Sequence, residues 1–238
     1  MAVDKSGERV RQMFGEIAPR YDALNHLLSL NIDRYWRWYA TRKVQPPAKL
    51  PILDVCTGTG DLALAWQHKV PIVPVLAADF CHSMLVLGDQ KRQRSEQGKQ
   101  GQRVLFLEAD TQQLPFADNQ FGVVSVAFGL RNVSDTMQGL REMTRVCAPS
   151  GQVAILEFSM PQWQPFKAVY GCYFRYILPR VGQLLARNRQ SAYNYLPSSV
   201  AEFPQDETLA GMMREAGLRE VRYHSLTLGV ATLYVGTK

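Results

Sequence analysis

Hydrophobic residues near the start of the chain recur at helical spacing. Val10, Met13, Phe14 and Ile17 form one stripe over Gly7 to Ala18, and Pro19 ends it. A second helical stretch carries Leu24, Leu27 and Leu28, and a third carries Tyr35, Trp36, Trp38 and Tyr39. From residue 51 the period changes. Pro51-Ile52-Leu53-Asp54-Val55-Cys56 is a short apolar run ending in Thr57-Gly58-Thr59-Gly60, the pattern of a buried strand entering a glycine turn. Leu62 to Trp66 begin a helix behind it. Further apolar runs at Ile72 to Ala78, Val104 to Leu107, Phe121 to Phe128 and Val153 to Phe158 are mostly separated by helical stretches such as Ser83 to Gln93 and Thr136 to Cys147.

Strands alternating with helices predict an α/β fold with a mostly parallel sheet, because parallel neighbours need crossover connections. The end of the chain reads differently. Leu209, Met212, Met213 and Ala216 form a helical stripe closed by Gly217, and Glu220 to Leu226 and Val230 to Val235 follow with Gly229 between them. That spacing suits a terminal antiparallel hairpin. Two segments lie outside the alternation. Lys91 to Arg103 is rich in Lys, Arg, Gln, Ser and Gly and is expected to be a solvated helix end and loop. Pro161 to Pro204 is long, aromatic and basic. The chain is thus expected to be one domain over residues 1–238, with an N-terminal helical cap at 1–48 and an insertion at 160–205 serving as a substrate lid.

Composition narrows the class. Apolar residues make up 46% and charged residues 20% of the 238 residues, which excludes disordered, collagen-like and coiled-coil proteins. No run of about 18 apolar residues suggests a membrane span, and the first six residues have no apolar core of a secretory signal. Cys56, Cys81, Cys147 and Cys172 lie far apart without CxxC spacing, which suits reduced thiols in a cytoplasmic protein with no metal site. The net charge of +6 allows an anionic partner: nucleic acid, a membrane surface or a polyanionic cofactor.

The glycine turn is the first candidate site. Such a turn lets a ligand approach the backbone, and the following helix presents free N–H groups. Gly58-Thr59-Gly60-Asp61-Leu62-Ala63 also fits G-x-G-x-x-A, so a dinucleotide site of an NAD-dependent oxidoreductase has to be weighed. Three acids shift the balance. Asp54 lies in the first strand, Asp79 ends the second and Asp110 ends the third. Carboxylates at successive strand ends would line one crevice, where open α/β sheets bind ligands. Asp79 would accept both ribose hydroxyls, and Asp110 a hydrogen bond from the adenine amine. Asp54 would either order a cationic group or stabilise the turn. Together they describe an adenosine joined to something positive, so S-adenosylmethionine, with its sulfonium and ammonium, fits better than NAD.

The motifs carry a resemblance. Leu53-Asp54-Val55-Cys56-Thr57-Gly58-Thr59-Gly60-Asp61-Leu62 resembles motif I of class I methyltransferases. Phe128-Gly129-Leu130-Arg131-Asn132-Val133-Ser134-Asp135 resembles the signature of the ubiquinone/menaquinone biosynthesis C-methyltransferases, as do Tyr21-Asp22-Ala23-Leu24-Asn25, Arg34-Tyr35-Trp36, Leu156-Glu157-Phe158-Ser159 and Pro204-Gln205-Asp206-Glu207-Thr208-Leu209. The resemblance runs from about Val10 to Thr237. It implies a Rossmann-like class I methyltransferase fold, a seven-stranded sheet with helices on both faces, and methyl transfer to a ring carbon of a prenylated quinol. S-adenosylhomocysteine would be the product. The family's cofactor positions fall on Thr59, Asp79 and the Asp110-Thr111 pair. Ala127 stands where many members have serine. His26 replaces the last acid of Tyr-Asp-x-x-Asn-Asp, and Asn31-Ile32-Asp33-Arg34 replaces Gly-x-His-Arg, both in the region expected to cover the site.

The implied reaction assigns roles. A quinol hydroxyl has a pKa of roughly 10, so a group that stabilises the phenolate has work to do at neutral pH. Arg131 can stabilise it electrostatically but cannot act as a base, since a guanidinium stays protonated. Asn132 would orient cofactor or substrate. Tyr21 would close over the cofactor, touch the quinol oxygen or pack in the core. Asp135 reads as the N-cap of the next helix rather than a base. The four aromatics from Tyr35 to Tyr39 are expected to pack against the sheet rather than cap the crevice. The expected partners are a membrane-resident prenyl quinol and the inner face of a membrane, reached through Phe166 to Arg180; a homodimer is allowed and nucleic acid is not expected. An RNA methyltransferase remains the alternative suggested by charge alone. Glu202-Phe203-Pro204 favours a menaquinone over a ubiquinone precursor.

Overall fold

The computed structural model describes residues 6–47, 50–96, 104–177, 180 and 192–238. Seven strands, β1 (Ile52–Val55), β2 (Val75–Asp79), β3 (Val104–Glu108), β4 (Phe121–Ala127), β5 (Cys147–Phe158), β6 (Arg219–Leu226) and β7 (Ala231–Thr237), form one sheet in the order β3-β2-β1-β4-β5-β7-β6. The first five pair in parallel, and β7 runs antiparallel to both β5 and β6. The strand order reverses at β1, between β2 and β4. The loops leaving the carboxyl ends of these strands diverge there and open a crevice.

Alternation along the strands builds two cores. Leu53, Val55, Val124, Val126, Val153 and Ile155 face α6 (Thr136–Val146) and α9 (Glu207–Glu215), burying Leu140, Met143, Leu209 and Met213. Ile52, Ala77, Val123 and Ala154 turn the other way, onto Leu62, Ala63 and Trp66 of α4 (Asp61–Lys69). The helices therefore cover both faces, as expected.

The N-terminal helices α1 (Gly7–Ile17), α2 (Tyr21–Leu28) and α3 (Ile32–Lys43) lie over the crevice. Met13, Ile17 and Leu24 pack with Phe174, Tyr195 and Val200 from the 160–205 segment. That segment contributes α7 (Phe166–Cys172), a π-helical turn over Tyr173–Ile177 and α8 (Ala192–Glu202). Tyr173 donates its hydroxyl to the Leu28 carbonyl at 2.8 Å, which ties the segment to the end of α2. Trp36 anchors α3 to the sheet: it packs with Phe128, Leu156 and Leu233, and its Nε1 donates to Thr227 Oγ1 at 2.8 Å. Of the four aromatics on this helix, Trp36 is thus core, while Tyr35 and Trp38 are exposed.

Two boundaries differ from the sequence pattern. Ile72 lies in an exposed loop and β2 starts at Val75, because Pro74 has no N–H to give a ladder. Strand β5 starts six residues earlier than its apolar run, at Cys147. Pro149-Ser150-Gly151 reads as a turn, but a register shift opposite Phe121 and Val123 carries the strand through it. Lys91 lies in the end of α5 (His82–Glu96), as the expected helix end at this stretch requires. The rest of that polar stretch, 97–103, lies outside the described residues.

Candidate functional site

One cavity at the crevice collects the predicted residues. Tyr21, Asp54, Gly58, Thr59, Asp79, Asp110, Thr111, Arg131 and Asn132 all line it, with Ala127 beside them. Gly60 is the one predicted site residue that does not line it; it shapes the turn instead. Its φ of +80° and the Phe106 ring, 2.7 Å from where a Cβ would sit, leave room only for glycine. Gly129 is fixed in the same way on the far side, where a Cβ would stand 2.4 Å from Cys56 Cβ.

The acids are held in distinct states. Asp79 is buried at the end of β2; its Oδ2 accepts from Gly58 N and its Oδ1 from Cys81 N, both at 2.8 Å. Burial pushes its carboxyl up, opposed by these backbone donors. A carboxylate offers about four lone-pair sites, more than the backbone donors of Gly58, Phe80 and Cys81 fill, so acceptor capacity remains for a ligand hydroxyl. Asp54 accepts from Thr57 Oγ1 at 2.6 Å and Ser125 Oγ at 2.8 Å, and Ser125 in turn accepts from Trp66 Nε1 at 3.0 Å. Full burial, only partly offset by these bonds, pushes Asp54 up to about 7. Asp110 is exposed at the cavity rim and accepts from Gln112 N at 2.9 Å. Thr111 is buried, its hydroxyl 3.2 Å from Cys56 Sγ.

Thr59 is engaged in a way its sequence position does not reveal. Its hydroxyl donates to Asp22 of α2 and receives Lys91 Nζ at 2.9 Å. Lys91 also pairs with Asp22 at 2.5 Å and Asp61 at 2.7 Å, so cap, turn and α5 meet in one ionic knot. Arg37 extends it, pairing with Asp33 and, at 3.3 Å, with Asp61. His26 Nδ1 lies 2.7 Å from Asp33 Oδ2. Two of the positions that depart from the family pattern, His26 and Asp33, are therefore in contact.

Arg131 is 6% exposed. Its Nη1 donates to Glu157 Oε2 at 2.9 Å and to the Phe128 carbonyl, and its backbone N–H donates to Glu157 Oε1 at 3.2 Å. The guanidinium carbon lies 5.4 Å from the centre of the Phe158 ring. Glu157 is 1% exposed and belongs to the Leu156-Glu157-Phe158-Ser159 motif; nothing in sequence marks an acid on β5 as the partner of an arginine in a loop after β4. Asp135 does cap α6, accepting from Gln138 N at 2.9 Å.

Four buried side-chain polar atoms have no hydrogen-bond partner among the described residues: Arg131 Nε, Asn132 Oδ1, Tyr195 Oη and Thr144 Oγ1. The first three belong to cavity-lining residues. Each such atom costs about 1–3 kcal/mol when unmet. Three polar atoms at this cavity are thus left without a partner by the described residues.

The whole chain, residues 2–238, matches the profile of the ubiE/COQ5 methyltransferase family. The chain belongs to that family. It is 45% identical to the ubiquinone/menaquinone biosynthesis C-methyltransferase UbiE of Citrifermentans bemidjiense over 100% of this chain and 99% of that one. It is 44% identical to the demethylmenaquinone methyltransferase of Deinococcus radiodurans, over 98% and 93% of the two chains. Among solved structures, a SAM-dependent methyltransferase of Thermotoga maritima superposes with a TM-score of 0.67 at 16% identity, covering 95% of this chain and 99% of that one, a likeness of fold. The protein is a C-methyltransferase dependent on S-adenosylmethionine, as the resemblance implied. The donor set fits that molecule: Asp79 is an acceptor braced by backbone donors, and Asp54 is a buried acid beside the glycine turn. No helix among the described residues is long and apolar enough to cross a membrane.

Proposed function

We propose that this protein methylates the ring carbon of a prenylated quinol, demethylmenaquinol before the ubiquinone-pathway benzoquinol. The observation that carries the reading is the set of unmet polar atoms on Arg131, Asn132 and Tyr195 in a cavity whose lining also includes Met13, Phe14, Ile17, Phe128 and Phe158. An apolar ring with one polar edge satisfies both surfaces. S-adenosylmethionine, when bound, supplies an electrophilic methyl group. Asp79 takes the ribose, Asp110 the adenine amine at the rim, and the Gly58–Gly60 turn the backbone approach. Asp54 faces the positive end of the donor, where a cation favours its ionised form.

Arg131 faces the oxygen on which charge develops as the quinol loses its proton. Glu157 and the Phe128 carbonyl occupy Nη1, so Nη2 and Nε are the donors left for substrate. Asn132 accepts from a ring hydroxyl through Oδ1. Tyr21, beside Gly58 and raised by burial, stays protonated and closes the cavity over the turn. Turnover of demethylmenaquinol against the benzoquinol precursor, in competition, tests the substrate; preferential methylation of the benzoquinol overturns the menaquinone side of the reading.

The substrate is dissolved in lipid, so the protein has to reach a membrane surface. Val169 and Tyr176 are exposed on the 160–205 segment, beside the exposed Lys167, Arg175 and Arg180. Leu27 and Leu30, also exposed, flank Leu28, whose carbonyl that segment holds through Tyr173. This edge combines apolar side chains that enter an interface with cations that meet lipid phosphates.

A further inference from the structure

Tyr195 lies on α8 with its ring packed among Met13, Ile17, Leu24, Phe174 and Val200. It is 9% exposed, it lines the cavity, and its hydroxyl has no hydrogen-bond partner among the described residues. A buried tyrosine normally finds a partner for its O–H. Phenylalanine would fill the same apolar niche without leaving a polar atom unmet. The hydroxyl is therefore surplus to packing, and Tyr195 lines the cavity together with Arg131 and Asn132, whose Nε and Oδ1 are likewise unmet.

We propose that Tyr195 is a second contact for the substrate's ring oxygen, donating its hydroxyl hydrogen to the oxygen that Arg131 also faces. This rests on the reading of Arg131 as the quinol-facing cation. A neutral donor and a cation on one oxygen divide the work: the cation supplies charge stabilisation, and the hydroxyl fixes the oxygen's position and, through it, which ring carbon faces the methyl group. The charged groups that bear on the hydroxyl are Arg131, Arg9, Glu157 and Glu202. Burial outweighs them and keeps the phenol above its ordinary value, so it remains a donor throughout the working pH range. Nothing in the sequence singled this residue out, because a tyrosine at helical spacing in an aromatic segment reads as packing.

The test is Tyr195→Phe, which removes one oxygen and keeps the ring. With a short-chain demethylmenaquinol, kcat/KM should fall roughly 10–100-fold, the loss expected for a hydrogen bond to a charged group. The acidic limb of the kcat–pH profile should move to higher pH, since the quinol oxygen loses a donor that favours its ionised form. S-adenosylmethionine affinity by calorimetry should not change. Normal turnover with an unmoved limb overturns the proposal. So does a loss of turnover without the limb shift, or with a matching loss of S-adenosylmethionine affinity, because either assigns Tyr195 to packing. Arg131→Ala run alongside separates the two readings: if it loses turnover while Tyr195→Phe is normal, only the role of Tyr195 fails; if neither variant changes turnover, the placement of the quinol fails with it.

Discussion

Glu157 holds Arg131 at two points: one carboxylate oxygen accepts from the side chain at 2.9 Å and the other from the backbone N–H at 3.2 Å. Both residues are buried, so the pair fixes the loop after β4 against β5 as well as orienting a charge. Removing one member of a buried pair strands the other, at a cost of about 3–5 kcal/mol. Glu157→Ala should therefore lower the unfolding free energy by about that amount, measured by denaturant titration.

Arg131→Ala should depress turnover by about 100-fold or more while leaving S-adenosylmethionine affinity nearly intact, because its charge matters as the phenolate develops. Arg131→Lys should rescue in part only, since a point charge cannot serve Glu157 and a ring oxygen with one planar fork. Normal turnover by Arg131→Ala at saturating quinol would make the residue structural.

The two buried acids at the glycine turn should separate in calorimetry. Asp79→Ala removes an acceptor from the ribose and should weaken S-adenosylmethionine binding by about 1.5–3 kcal/mol. Asp54 behaves differently because its folded carboxyl titrates near 7. A cation beside it favours the ionised form, so binding at acidic pH must expel a proton, and affinity should weaken as pH falls below about 7. Asp54→Asn should abolish that pH dependence. In the free protein the folded state keeps this proton up to about pH 7, while the unfolded chain releases it near pH 4. The folded state binds more protons in that window, so the group's contribution to stability falls as pH rises through it. Asp54→Asn should accordingly gain more in melting temperature at about pH 8 than at about pH 5.

Membrane contact should be reversible and salt-sensitive. Replacing Arg175 and Arg180 with Glu should reduce binding to anionic vesicles by about 1 kcal/mol or more for each charge, and slow turnover of a long-chain quinol. A short-chain, water-soluble quinol should be methylated normally. Equal losses on both substrates would point to damage of the fold, and unchanged vesicle binding would move the contact to the edge at Leu27 and Leu30.

The sheet was legible because its strands keep a clean apolar signal and its crossovers keep helical stripes. The crevice acids were legible for the same reason: Asp54, Asp79 and Asp110 each follow or interrupt an apolar run, and chain order places strand ends together. What remained hidden depends on partners remote in sequence. Glu157 and Arg131 meet only because β4 and β5 are neighbours. Lys91 looks like part of a solvated helix end, yet Asp22 and Asp61 draw it into the knot that fastens the cap. His26 and Asp33, each a departure from the family pattern on its own, make sense once they are found 2.7 Å apart.

The most direct measurement is transfer of a labelled methyl group from S-adenosylmethionine to demethylmenaquinol, with the product resolved by mass spectrometry and NMR. The expected result is a label bound to a ring carbon, formed by the wild-type protein and lost in Arg131→Ala. A label on a ring oxygen, or no transfer to either demethylmenaquinol or the benzoquinol precursor, would contradict it.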